Sequence, residues 1–253
     1  LWRKYYIKLI NIGLRGKSSV ITTSKHAKSK LEISFSKQKP LITTIFQSFL
    51  SSKTEDDSVL KTFNLHDSDF LLHVGSFDKR KDLITLVKAF KFLKEDKTNK
   101  HLKLVLAGRK ILNGNTEVLN ALETYILTNN LSKSVLMTDY LSRAEIRSLY
   151  KKALIYVFPS VEEGFGIPIL ESFAMKTPVV TSNAGAMVEV AGGAAEHFNA
   201  GDYIELSKTL TKLITSKPKR TYLVEKGSER LKAFSREKFI NDYEHLILKS
   251  VKN

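Results

Sequence analysis

The sequence contains no cysteine. That absence removes disulfides, thiolate metal sites and a cysteine nucleophile together, and it fits a reducing compartment. No apolar run approaches the roughly 20 residues that a membrane-spanning helix needs. The N-terminus also lacks the apolar stretch and small-residue cleavage site of a secretory signal, so the chain reads as cytosolic. No internal repeat and no low-complexity tract interrupts it. Acids are scarce in one place: residues 1–50 hold ten Lys or Arg against a single acid, Glu32, whereas the remainder holds 31 bases and 25 acids. That first segment supplies +9 of a net charge of +15. An anionic lipid surface, a nucleic acid or plain solvent would each satisfy such a basic face. The aromatic-rich strand motifs of an RNA-binding sheet are missing, which counts against nucleic acid.

What is present is enough for a core: 253 residues, 42% of them hydrophobic, suit one large domain or two small ones. In residues 1–15, Lys4, Lys8, Asn11 and Arg15 recur at intervals of four, three and four. That spacing predicts an amphipathic helix with Trp2, Tyr5, Tyr6, Leu9 and Ile12 away from its polar side. Packing against a sheet is the commoner use of such a stripe, and lying on a membrane surface is the other. SSVITTS (18–24), KHAKSKLEIS (25–34) and PLITTIF (40–46) follow as strand, helix and strand. The polar stretch SSKTEDDS (51–58) reads as a linker.

Beyond it, apolar strands alternate with amphipathic helices. The strands are FLLHVG (70–75), LKLVLAG (102–108), SVLMTDY (134–140), LIYVFPS (154–160) and PVVTS (178–182). The helices are 84–96, 117–130, 144–153, 169–176 and 202–216, and REKFINDYEHLILK (236–249) forms a last helix capped by Ser235. This rhythm is that of a parallel sheet covered on both faces. The expected class is α/β, a doubly wound Rossmann-like sheet over 60–235. Residues 1–50 form a partial α/β segment before it, 51–59 a linker, and 236–253 a closing helix.

Ligands of such sheets sit outside the carboxyl ends of the strands. Two loops there carry chemistry. In GSFDKRKDL (75–83), Gly75 permits close backbone approach while Arg80 and Lys81 offer cations to a diphosphate. In EEGFGIPILE (162–171), Pro168 suits the first turn of a helix. Gly164, Phe165, Gly166 and Ile167 then present N–H groups at its positive end, with Glu163 before the helix and Glu171 within it. A solvated Glu163 and a Glu171 bonded to a neighbouring loop are the plain alternatives. LRGKSS at 14–19 is not a P-loop, because Asn11 stands where the first glycine belongs and a helix precedes it. His66, Asp67 and Asp69 lack helical ligand spacing. Paired acids also serve glycosidases, but a helix N-terminus and a cationic loop beside them favour a phosphorylated donor.

Taken in order, FLLHVGSFDKRKDLITLVKAF, SRAEIRSLYKKALIYVFPS, EEGFGIPILE and SFAMKTPVVTSNAGAMVEVAGGAA resemble the donor-binding half of the retaining, GT-B-type glycosyltransferases of family 4. The resemblance covers roughly 60–235 and rests on a Glu, seven residues and a second Glu in an EGFG-(I/L)-P context. It implies that Glu163 faces the donor hexose as charge develops at the anomeric carbon, and that Glu171 accepts the ribose hydroxyls. The backbone of Gly164, Phe165, Gly166 and Ile167 would bind sugar and phosphate, Gly75, Ser76, Arg80 and Lys81 the diphosphate, and the Tyr140-Leu141 loop the nucleobase. It implies no metal and no cofactor, the nucleoside diphosphate sugar being substrate. It further implies a glycan or lipid-linked acceptor, a cytoplasmic place peripheral to an anionic membrane, and a closing helix that crosses back to an N-terminal domain. Many relatives have Arg directly after the first glycine. Here it is Ser76, so donor affinity would rest more on Arg80 and Lys81. Only something like the last helix and two strands of the acceptor-side domain is present, so the chain reads as a fragment or as one half of a split enzyme. The competing expectation is a noncatalytic partner with the same fold.

Overall fold

The computed structural model describes residues 9–10, 12–13, 19–37, 40–49, 54–111 and 114–251. The chain divides into two compact units, Leu1–Ser48 with Phe234–Asn253, and Phe49–Ala233. In the smaller unit, strand β1 (Ser19–Thr22) leads through helix α1 (Lys25–Ser34) to strand β2 (Leu41–Thr44). The two strands pair in parallel, from Ser19 opposite Leu41 to Thr22 opposite Thr44. Ser24 begins α1 as its N-cap, accepting a hydrogen bond from the Ala27 N–H at 3.0 Å. Phe35, Ile42 and Ile45 are buried, and Phe46 packs on Phe234 with ring centroids 5.7 Å apart. Leu9, Ile10, Ile12 and Gly13 are helical. Leu9 and Ile12, the described members of the expected stripe, are close to half exposed, so the stripe is not buried against a sheet at these two positions. The rest of the helix expected over 1–15 lies outside the described residues. The closing helix, Arg236–Val251, also belongs to this unit and carries Ile240, Ile247 and Leu248 exposed.

The larger unit opens with α2 (Ser58–Thr62), then runs β3 (Phe70–Val74), α3 (Leu83–Glu95), β4 (Lys103–Ala107), α4 (Glu117–Thr128) and β5 (Val135–Met137). It continues through α5 (Arg143–Lys152), β6 (Ile155–Phe158), α6 (Ile167–Ala174), β7 (Val179–Ser182), α7 (Met187–Ala191) and β8 (Glu196–Phe198). α8 (Tyr203–Ile214) and α9 (Lys217–Leu231) complete it. The six strands, all parallel, lie in the order β5-β4-β3-β6-β7-β8. Renumbered within the unit this is 3-2-1-4-5-6, the doubly wound order of dinucleotide-binding folds.

Helix periodicity decides which faces are buried. In α3, Leu86, Phe90 and Leu93 recur at i, i+4 and i+7 and are buried, and Leu206, Leu210 and Leu213 do the same in α8. They join Leu71, Leu104, Leu106, Ile155, Val157 and Val180 from the strands in one cluster. Each such side chain contributes about 1.5–3 kcal/mol on burial.

Two sequence expectations need correction here. Residues 54–57 of the stretch read as a linker are tied to α5. Glu55 pairs with Arg147 at 3.2 Å and with Lys151 at 2.8 Å, while the Asp56 N–H donates to Ser148 Oγ at 3.1 Å. The strand expected over 134–140 spans only Val135–Met137, because Asp139 turns the chain, its carboxylate accepting from the Tyr140 N–H at 2.8 Å.

Between the ends of β3 and β4 the backbone is tightly packed. Gly108 lies at φ +144°, and a Cβ there would stand 2.2 Å from the Gly75 carbonyl oxygen. Gly108→Ala is therefore expected to cost at least about 2 kcal/mol through strain and backbone displacement. Urea unfolding would show this as a lowered midpoint, and an unchanged midpoint would mean that the two loops part easily.

Candidate functional site

The strand order reverses between β3 and β6, so the chains leaving those two strands diverge and open a crevice at their carboxyl ends. The loops that leave them are 75–82 and 159–166. The first hugs the end of β4, with the Gly75 N–H donating to the Ala107 carbonyl at 2.9 Å and the Phe77 N–H to the Arg109 carbonyl at 3.0 Å. Asp78 then winds one tight turn, Lys79–Lys81. Its carboxylate accepts from the Arg80 N–H at 2.9 Å, Ser76 Oγ at 3.2 Å and Arg80 Nη2 at 3.2 Å. Ser76 thus serves the loop's own geometry, and Arg80 is held outward and half exposed.

The turn lays Lys81 inward, with 9% of it accessible. Its ammonium donates to Glu163 Oε1 at 2.6 Å and sits 4.9 Å from the centre of the Phe158 ring. The second loop is stitched to the first by the Val161 N–H, which donates to the Arg80 carbonyl at 2.8 Å. On its other side Gly185 (φ +58°) would bring a Cβ within 2.9 Å of the Glu163 nitrogen, and the Ala186 N–H donates to the Glu163 carbonyl at 3.2 Å. Glu163 is thus fixed by two segments distant in sequence, 80–81 and 185–186. Gly166, at φ +110°, caps α6, with Pro168 in the first turn. Phe165 and Gly166 are buried there.

A cavity of about 680 Å³ adjoins the loops. It is lined by Glu171, Tyr140 and Leu141 from the sequence-predicted set, and by Val74, Arg143 and Tyr150 among others. Glu163 and Lys81 are not among its lining residues. Burial pushes the Glu171 carboxyl up from its ordinary range, while Tyr150, whose hydroxyl donates to Oε2 at 3.1 Å, and Arg143 pull it back. Burial likewise drives the Tyr150 hydroxyl well above its usual value. Tyr140 is 76% exposed at the cavity mouth. Tyr150 and Arg143 were not foreseen. Their signal was the capping box of Ser142 and Glu145 that opens α5 and sets both residues on it.

Sequence reasoning also passed over His73, a lone polar residue in an otherwise apolar strand. It is fully buried, and its Nδ1 lies 3.1 Å from the Val157 carbonyl. A carbonyl only accepts, so Nδ1 carries the proton and Nε2 bears a lone pair. Nε2 has no partner among the described residues. Burial, with the Lys81 charge reinforcing it, lowers the imidazole to about 3.

The sign of the resulting pH dependence follows. Between the ordinary value of 6.5 and about 3 the unfolded chain takes the extra proton and the folded one does not. Stability therefore falls as pH drops through that window, by about 1.4 kcal/mol per pH unit for one such group. His197, lowered by burial, acts in the same direction, and Glu171, raised, opposes it. His73→Phe is expected to lose less stability than the wild type between pH 6.5 and 5. Parallel urea midpoints in the two proteins would show that His73 takes up no proton on unfolding there.

Comparison with known proteins adds four findings. The family model described as glycosyl transferases group 1 matches residues 56–230. The chain is 26% identical over 239 residues to O-antigen chain mannosyltransferase B of Escherichia coli, covering 92% of this chain and 61% of that protein's length. Among solved structures, sucrose-phosphate synthase from Thermosynechococcus elongatus superposes with a TM-score of 0.81 at 23% identity, over 94% of this chain and 60% of that one. Anabaena HepE in complex with UDP and glucose superposes with a TM-score of 0.79 at 19% identity, over 95% and 65%.

Proposed function

The chain belongs to the glycosyl transferases group 1 family, and from that premise we propose that it is the donor-binding part of a retaining, family 4 glycosyltransferase. It would move a hexose from a nucleoside diphosphate sugar to a glycan or lipid-linked acceptor. The observation that carries the reading is the 2.6 Å pair of Lys81 and Glu163 where the strand order reverses, beside a cavity that holds Glu171, Tyr140 and Leu141. Similarity to a mannosyltransferase favours mannose among hexoses.

On this reading Lys81, with Arg80 at the rim, meets the diphosphate. Glu163, released from Lys81, turns to the hexose as positive charge grows at the anomeric carbon, and the nucleoside diphosphate departs as an anion. Lys81 and the amino end of α6 stabilise that leaving group without a metal ion. Glu171 accepts the ribose hydroxyls in the cavity of about 680 Å³, and the base lies along Tyr140 and Leu141. The basic first fifty residues would draw the enzyme to an anionic membrane face that carries its acceptor. In the smaller unit, Ile33 is 75% and Leu41 61% exposed, and a sheet of two strands is marginal on its own. Both support a further acceptor-side domain, in the same chain or a second one, as part of the proposal.

In the intact enzyme, Glu163→Gln is expected to lower transfer by about 10²–10³ while leaving UDP or GDP affinity unchanged or improved, since Lys81 is set free. Unchanged turnover would remove Glu163 from its role. Melting temperatures with UDP and GDP test Lys81: a diphosphate at 100 times its dissociation constant stabilises by about 2.7 kcal/mol, and Lys81→Ala should abolish most of that shift. Glu171→Gln should weaken the nucleoside diphosphate about tenfold but leave inorganic pyrophosphate unaffected. Equal losses for both ligands would move Glu171 out of the ribose compartment.

A further inference from the structure

His73 is the group for which the transfer reaction as proposed has no use. Its ring is fixed on three counts: Nδ1 donates to the Val157 carbonyl at 3.1 Å, and the rings of Tyr156 and Phe158 stack near parallel to it with centroids 6.4 and 6.2 Å away. That leaves Nε2 as an acceptor whose position the strand dictates. A Cβ placed on Gly75 would stand 3.0 Å from His73 Nε2 and 3.5 Å from Lys81 Cε. The free lone pair and the last methylene of Lys81 therefore border the same point above Gly75, one bond from the ammonium. Phe158 lies against both, its ring 4.9 Å from Lys81 Nζ. A side chain at position 75 would fill the space between them.

We propose that His73 is a positioning residue that gives Lys81 a second seat. With the site empty, the ammonium rests on Glu163 Oε1. When a nucleoside diphosphate enters and Glu163 turns away, the ammonium donates one N–H to His73 Nε2 and directs the other two at the phosphates. An ammonium has three donors and no acceptor, so a neutral imidazole that offers only a lone pair is a matched partner. A protonated imidazole at this place would repel the same lysine. The inference rests on the reading of Lys81 as the diphosphate-binding cation.

The test uses the intact enzyme labelled with ¹⁵N-histidine, with GDP and UDP as probes at concentrations that saturate each protein. The unprotonated ring nitrogen of His73 should move on binding to the shift of a hydrogen-bonded acceptor. In Lys81→Ala the same addition should leave it in place. Diphosphate affinity should fall about tenfold in His73→Phe, which keeps a stacked ring but no acceptor. It should recover to within about threefold in His73→Gln, whose amide oxygen can stand where Nε2 stood. Binding that depends on Lys81 while the His73 nitrogen stays unmoved overturns this inference and spares the proposed function. Movement in Lys81→Ala also overturns it, because a ligand group, not the lysine, then occupies Nε2. Binding that is indifferent to Lys81→Ala overturns both. The nitrogen shift is read in the wild type, so the test holds even where a substituted strand fails to fold.

Discussion

Everything in the site depends on the reversal of strand order between β3 and β6. Parallel strands need long crossovers, and winding them outward in both directions from one central pair forces the two central loops apart at their carboxyl ends. The crevice is thus a by-product of topology. Chemistry is added by what the loops carry and by how firmly they are held. The Val161 N–H on the Arg80 carbonyl joins them, and the close approach of Gly108 and Gly185 leaves neither loop room to drift. Side chains attached to such loops are positioned before any ligand arrives.

The charges within that frame are in mutual tension, and the tension is resolved differently for each group. Lys81 and Glu163 satisfy each other across a largely buried contact. Removing either partner of such a pair leaves an uncompensated charge, a change that costs about 3–5 kcal/mol in buried settings. Glu171, eight residues further on, has no lysine. It rests on a tyrosine hydroxyl in a cavity whose walls push its carboxyl upward. His73 escapes the field of Lys81 by remaining neutral, at the cost of a buried acceptor left unmade, a penalty of about 1–3 kcal/mol.

The sheet and most of its helices were legible because each strand is a run of apolar residues bounded by turn residues, and each helix carries its own stripe. FLLHVG and LIYVFPS could be little else. β8 was missed because EHF offers one apolar residue on an edge strand, too little for a periodic signal. α9 was missed because KPKRTYLVEKGSERL buries only Leu223 and Gly227, so no stripe is written in it. Gly227 is there for packing, since a Cβ would press to 2.6 Å on the Phe173 ring. The sequence could name Lys81, Glu163 and Glu171, but it could not tell that the first two meet or that the third rests on Tyr150. Those facts depend on contacts 82 and 21 residues apart along the chain.

The resting pair has a consequence for discrimination among ligands. A neutral sugar entering the crevice brings no charge to replace Glu163 at Lys81, so it would have to break a charge-assisted hydrogen bond without a comparable one in return. A diphosphate brings its own anionic oxygens, and the exchange at Lys81 is then one carboxylate for one phosphate. Only after that exchange is Glu163 unpaired, and only then can its charge act on the hexose. On the proposed reading, the leaving group unlocks the acid that the sugar needs. A donor stripped of its diphosphate would be refused by charge, without any narrowing of the pocket around the sugar.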